Sequence, residues 1–328
     1  TVRRFARRRK VRIAARDILA EIGTEATLAS LTDSADAAVA GAVYVVADGD
    51  PTGFAVIAMG KWGGHELSYG SDLDLLYVFD DEVHRDEANR IATDLSKVLS
   101  EPSRHGEAYT LDAGLRPEGR RGPLARSLES FRRYYQEWAE PWEMLALAKA
   151  RPAAGDGQLG SEFIEMTGGF VWKEQLPGDF LRSIRGIKAR VENERIPAGE
   201  DPDFHLKLGR GSISDIEFLT QLLQLRHGGA RPSLRVPGTL DALQTLMELE
   251  LLPAEDVRSL RDSYLFCTRV RLRLNLQAGR LVDSLPTDPD QLGSLAASLG
   301  FDRSAELRDE YRRVTRRARL VFEQHFYE

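Results

Sequence analysis

Met59-Gly60-Lys61-Trp62-Gly63-Gly64-His65-Glu66-Leu67-Ser68-Tyr69-Gly70-Ser71-Asp72-Leu73-Asp74-Leu75-Leu76-Tyr77-Val78-Phe79 is the stretch on which the reading of this chain turns. A continuous apolar run, Phe54 to Met59, leads into it, and a second, Leu73 to Phe79, closes it; runs of this length, the second rich in β-formers, predict two buried strands. Gly60 to Ser71 predicts a glycine-rich connection between them. Successive side chains of a strand face opposite ways, so Asp72 and Asp74 share one face while Leu73 and Leu75 turn into the core. Two carboxylates side by side at a strand's edge repel and raise each other's proton affinity unless a cation lies between them. Magnesium takes oxygen ligands and binds through one or two carboxylates plus substrate phosphates, so the pair suits presentation of a nucleoside triphosphate.

Working outward, Thr32 and Asp33 signal the start of a helix running to Val46, and apolar residues from Ala88 to Leu99 fall at helical intervals before a stop at Glu101-Pro102-Ser103. Glu107 to Leu115 then alternates as a third strand. It carries Asp112, the best candidate for a third acid in a two-metal site, and Leu115-Arg116-Pro117 brings a guanidinium near the same edge to balance phosphate charge. An Asp-x-Asp alone is common on solvated loops; here it follows a strand and a glycine-rich turn, opens a buried strand and precedes a strand-borne Asp. The turn lacks the Gly-Lys-Ser/Thr triplet of a P-loop, but its backbone amides at Gly60 and the point charge of Lys61 suit phosphate contact.

Beyond Pro123 the signals are almost entirely helical: Phe131 to Ala150, Phe180 to Glu194, Ser214 to Leu225, Thr239 to Leu251, Ala254 to Gln277 and Ala305 to Phe326. The expected fold is therefore α+β: a small mixed β-sheet with flanking helices in a domain spanning 1–125, then an all-helical domain spanning 126–328. The length of 328 residues accommodates two domains of roughly 100 to 200 residues.

The formal net charge of -6 argues against a dedicated nucleic-acid binder, and no run approaches the roughly 18 apolar residues that a bilayer span needs. Neither nucleic acid nor membrane is an expected partner, and the expected compartment is the cytoplasm. The single cysteine, Cys267, sits in an apolar run, has no second thiol for a disulfide or zinc, and reads as a core residue. Residues 1–22 concentrate basic side chains, with Phe5, Val11, Ala14, Ile18, Leu19 and Ile22 at near-helical spacing between them; this predicts an amphipathic helix with a solvated or domain-bridging basic face.

Gly60-Lys61, ten intervening residues and then Asp72-Leu73-Asp74-Leu75 resemble the signature of the DNA polymerase beta-like nucleotidyltransferases, with Lys61 in the place of a small residue. The longer string Gly60 to Leu67 with Ser71 to Leu75 resembles the bifunctional glutamine synthetase adenylyltransferase/adenylyl-removing enzyme family. So do Asp112-Ala113-Gly114-Leu115-Arg116-Pro117-Glu118-Gly119, Trp142-Glu143 with Lys149-Ala150-Arg151, and Lys207 to Phe218, in the family's order along most of the chain. That family has two similar halves, so the resemblance implies that this chain is one half of a longer, multifunctional enzyme.

On these positions the resemblance implies magnesium held by Asp72, Asp74 and Asp112, and a triphosphate touched by Gly60, Lys61 and Ser71. Glu143, Lys149, Arg151 and Lys207 lie within matching motifs, the three basic residues as candidate nucleotide ligands; a surface ion pair or a helix-capping contact is their other reading. The implied reaction transfers AMP from ATP to a tyrosine of glutamine synthetase in the regulation of nitrogen assimilation. The alternatives are phosphorolytic removal of that AMP and a non-catalytic module docking glutamine synthetase or the signalling protein PII. Tyr69-Gly70-Ser71-Asp72-Leu73-Asp74, the arginine-rich leader and the ending Tyr311 to Tyr327 resemble the adenylylating C-terminal half, whereas Gly122-Pro123-Leu124 and Tyr134-Tyr135-Gln136-Glu137 resemble the removing half.

Overall fold

A computed structural model describes residues 2–80, 85–101, 107–176, 178–197 and 199–327. Its contacts divide the chain into two compact units, Thr1–Lys173 and Glu174–Glu328.

The first unit begins with a helical pair, α1 (Val2–Ile18) and α2 (Thr24–Val46), and then alternates strands with helices. The elements are β1 (Phe54–Ala58), α3 (Gly60–Gly63), β2 (Leu73–Phe79), α4 (Arg85–Ser100), β3 (Leu111–Asp112), β4 (Ala125–Ser127), α5 (Leu128–Glu137), α6 (Pro141–Leu147), β5 (Arg151–Gly155) and α7 (Gly157–Val171). β1 and β2 are antiparallel, with Phe54 opposite Phe79 and Ala58 opposite Leu75. β5 covers the other side of β1, also antiparallel. β3 and β4 both run parallel to β2, one beside its start and the other beside its end.

The two apolar runs form strands because the sheet's interior accepts them on both faces: every residue of β1 is buried, and so is every residue of β2 except Asp74. α4 and α7 pack on these strands, and Asp156 ties the sheet's end to α7. One oxygen of Asp156 caps α7 by accepting from the Gln158 and Leu159 amides, and the other accepts from the Gly53 amide at 2.9 Å. These bonds hold its carboxyl below the usual range.

The strand expected over Glu107 to Leu115 narrows to Leu111–Asp112, and the stop signal at Pro102-Ser103 lies outside the described residues. The single helix expected over Phe131 to Ala150 is broken in two, because Pro141 cannot continue α5 and instead opens α6. Arg151–Gly155, expected within a helical half, is a strand that joins the edge of β1. The first unit consequently reaches Lys173, well past the boundary expected at residue 125.

The second unit is helical: α8 (Phe180–Glu194), α9 (Ile213–His227), α10 (Thr239–Glu248), α11 (Ala254–Ala278), α12 (Pro289–Ser298) and α13 (Ser304–Tyr327). α11 and α13 pack along each other, and Cys267 is fully buried in this core. At its centre Lys188 Nζ and Asp215 Oδ1 lie 2.5 Å apart, with Arg319 Nη1 2.9 Å from both Asp215 Oδ2 and Glu192 Oε1. Asp215 Oδ2 also accepts from the Gly211 amide at 2.6 Å, so a buried charge network fixes the turn that opens α9. The architecture is thus an α+β sheet unit followed by an all-helical unit. Among the described residues, no helix is long and apolar enough to cross a membrane.

Candidate functional site

Asp74 is the one residue of β2 that is not fully buried, and it stands opposite Asp112 in the parallel register of β2 with β3. Residues paired in this way place their side chains on one face of a sheet. Asp72 is exposed just ahead of β2, where the Leu73 amide donates to the Thr110 carbonyl at 2.9 Å and aligns the two acid-bearing segments. The Gly114 amide donates to Asp112 Oδ1 at 2.7 Å, which orients that carboxylate and leaves Oδ2 for another ligand.

The connection from β1 starts against these acids. The Met59 amide donates to the Asp74 carbonyl at 2.9 Å, and Gly60 follows with φ 54°. A β-carbon on residue 60 would collide with Asp74 Oδ2, so a glycine is needed here for space as well as for backbone freedom. A β-carbon on Gly63 would collide with the Lys149 carbonyl. Trp62 is fully buried, and its indole N–H donates to Asp36 Oδ1 at 2.6 Å.

Lys149 and Arg151 bolt this connection in place. Lys149 Nζ donates to Glu66 Oε2 at 2.7 Å, with both side chains buried. Arg151 Nη2 donates to both oxygens of Asp36 at 2.8 Å and to the Trp62 carbonyl at 3.3 Å. Lys61 is half-buried at the start of the connection. The Ser71 hydroxyl accepts from the Ser68 amide at 3.1 Å and lies 2.9 Å from the Ser68 hydroxyl, closing the turn that delivers Asp72.

Arg116 braces the loop beyond β3. Its guanidinium donates to the carbonyls of Ala113 at 2.7 Å, Gly122 at 3.1 Å and Arg120 at 3.2 Å. Burial lowers its proton affinity, and the nearby Asp112 acts in the opposite sense. Glu143 is buried on α6: its Oε2 accepts from the Glu140 amide at 2.8 Å and from the Tyr134 hydroxyl at 3.4 Å, and burial pushes its carboxyl up. Lys207 lies in the second unit with an exposed side chain, and its amide donates to His205 Nδ1 at 3.2 Å.

The donor set at the sheet edge suits a hard divalent cation: three carboxylates on two adjoining segments, with neither Asp72 nor Asp112 in an ion pair among the described residues. The trio whose ligand atoms come within 4.8 Å of one another among the described residues is a different one, Asp33, Asp36 and His65. Asp36 there is already engaged by Trp62 and Arg151, which makes it a brace between α2 and the connection.

Residues 1–166 match the family described as glutamate-ammonia ligase adenylyltransferase. A Streptomyces avermitilis protein named bifunctional glutamine synthetase adenylyltransferase/adenylyl-removing enzyme is 41% identical over 354 aligned residues, covering 100% of this chain. The chain belongs to the glutamate-ammonia ligase adenylyltransferase family. Relatives of the same name from Nocardia farcinica and Mycobacterium tuberculosis are 44% and 40% identical, covering 84% and 97% of the chain. This member of the adenylyltransferase family spans about a third of the length of the curated relatives it matches: 35% of the Streptomyces protein, 28% of the Nocardia protein and 34% of the Mycobacterium protein. Residues 185–326 also match the family described as GlnD PII-uridylyltransferase.

Two residues that anchor the connection, Glu66 and Asp36, carry no signal of it in the sequence. Glu66 stands in the quoted stretch, but its partner Lys149 is 83 residues away. Asp36 lies in an alanine-rich helix, and its partner Arg151 is 115 residues away. No local spacing announces either pair.

Proposed function

We propose that this chain transfers AMP from ATP to a tyrosine hydroxyl of glutamine synthetase, with release of pyrophosphate. The observation that carries the reading is the register of Asp74 with Asp112, with Asp72 two residues before Asp74. The relatives' names supply the acceptor and the transferred group. Asp72, Asp74 and Asp112 would hold magnesium, which when bound neutralises phosphate charge and lowers the proton affinity of an attacking hydroxyl.

The chain's own contribution is positioning. Gly60 lets the connection approach Asp74, and Lys61 beside it supplies a positive charge for the triphosphate. Lys149 and Arg151 act through Glu66, Asp36 and Trp62, keeping that connection rigid. Ser71 shapes the turn before Asp72, and Arg116 holds the loop after Asp112. Lys207 is itself proposed as a nucleotide ligand.

The relatives' names also include adenylyl removal, which supports a second reading in which phosphate attacks the AMP-tyrosine bond and ADP leaves. The match of residues 185–326 to a PII-modifying family supports recognition of PII by the second unit. One experiment separates the two reactions: unmodified and AMP-bearing glutamine synthetase are offered in turn with magnesium, ATP or phosphate, and the released product is identified. Pyrophosphate release with labelled substrate supports transfer, whereas ADP release supports removal. Retention of activity by Asp72→Asn/Asp74→Asn defeats both.

A further inference from the structure

α1 uses its two sides for different purposes. Inward, Ala6 and Ile13 are buried, and the polar side chains there grip segments next to the site. Lys10 Nζ donates to the Ala108 carbonyl at 2.7 Å and lies 3.8 Å from the Tyr109 ring centroid, just ahead of Asp112. Asp17 Oδ2 accepts from the Tyr69 hydroxyl at 3.1 Å, three residues before Asp72. Arg3 donates to the Val98 and Lys97 carbonyls, fastening the end of α4.

Outward, α1 is not the plain basic surface its composition suggests. Val11, Ile18 and Leu19 recur at i, i+7 and i+8 and are 64%, 52% and 69% exposed. Arg4, Arg8 and Arg12 fall at i, i+4 and i+8 on the same side, interspersed with Val11, Ile18 and, just past the helix end, Leu19; the three arginines are exposed and in no ion pair among the described residues. A face on which apolar side chains are interspersed with uncompensated guanidinium groups has as its complement an amphipathic helix that presents apolar and acidic side chains together. Eight basic side chains against one acidic residue in α1, in a chain of net charge -6, mark the face as a local attractor for such a surface.

We infer that the outward face of α1 is an exosite that docks an acidic amphipathic helix on the surface of the protein substrate. The inference rests on the reading above that the acceptor is a protein side chain. A tyrosine hydroxyl alone offers too little surface for a specific complex, so recognition must come from contacts away from the reacting atoms.

The test compares wild type, Val11→Asp/Ile18→Asp and Arg8→Glu/Arg12→Glu. Binding to immobilised glutamine synthetase and AMP transfer from labelled ATP are measured in parallel, with circular dichroism melts to verify the fold. All four substituted side chains point to solvent. Both variants are expected to lose about tenfold in affinity and to raise KM for glutamine synthetase by that factor with kcat unchanged, while wild-type affinity falls with added salt. Equal affinity in all three proteins, or no binding by wild type, overturns the exosite. So does sedimentation of wild type as a dimer that both variants abolish, because the face then belongs to a second copy. Wild type that binds through this face yet transfers no AMP in either direction keeps the exosite and defeats the reading of the site.

Discussion

The carboxylate of Asp74 fills the space that a β-carbon on Gly60 would need, and the backbone of Gly60 is left-handed. Gly60→Ala must therefore displace the carboxylate and strain the backbone. A loss of about 1–2 kcal/mol is expected in chemical denaturation, together with weaker magnesium-dependent ATP binding in calorimetry. Unchanged ATP binding would separate Asp74 from the metal.

Asp112→Asn retains an oxygen to accept from the Gly114 amide, so the loop after β3 should keep its shape while the site loses a charge. AMP transfer is expected to fall about 10²–10³-fold, with a melting curve close to that of wild type. Full activity in the asparagine variant would remove Asp112 from the set of acids.

Lys149 and Glu66 are buried together, so deleting one partner removes an ion pair from the other's buried charge. Lys149→Met is expected to cost about 3–5 kcal/mol in urea denaturation, and Glu66→Leu/Lys149→Met to cost much less. If the two substitutions simply add, the pair contributes no coupling.

His205 is buried in the second unit and accepts the Lys207 and Leu208 amides on Nδ1, which fixes the neutral ring. Burial lowers its pKa below 6.5, with Asp283 and Glu200 acting in the opposite sense. The unfolded chain therefore binds a proton before the folded chain does. The stability contribution is full above about pH 6.5 and is lost as pH falls through that value toward the folded pKa. Wild type should lose stability across this window in thermal melts. His205→Asn, which keeps an acceptor for the amides, should lose less; parallel pH profiles would refute the assignment.

Much of the fold is legible where burial alone decides local structure. Phe54 to Ala58 and Leu73 to Phe79 are covered on both faces, so their apolar runs announce strands, and Asp74 is conspicuous as the acid within one of them. The long helices α8, α9, α11 and α13 follow from apolar spacing. β5 is illegible for the opposite reason. Arg151-Pro152-Ala153-Ala154-Gly155 has a proline, a glycine and no branched residue, and it is a strand because the edge of β1 recruits it. α7 escapes notice because Gly157, Gly160, Gly168 and Gly169 dilute its helical pattern. The placing of Asp74 and Asp112 on neighbouring strands can be picked out from the sequence, whereas the partners of Lys149 and Arg151 depend on packing between distant segments. The outward apolar residues of α1 are legible only as spacing; which side they face is set by α2 and α4, against which α1 packs.

The late arrival of β5 bears on biosynthesis. β1 is complete at Ala58, but the strand that covers its second edge ends at Gly155. At about 5–20 residues per second, translation leaves that greasy, unpaired border exposed for about 5–20 s. A nascent chain stalled in this interval offers a sticky template to its neighbours on the same message, so slow codons between these strands should favour co-aggregation over maturation.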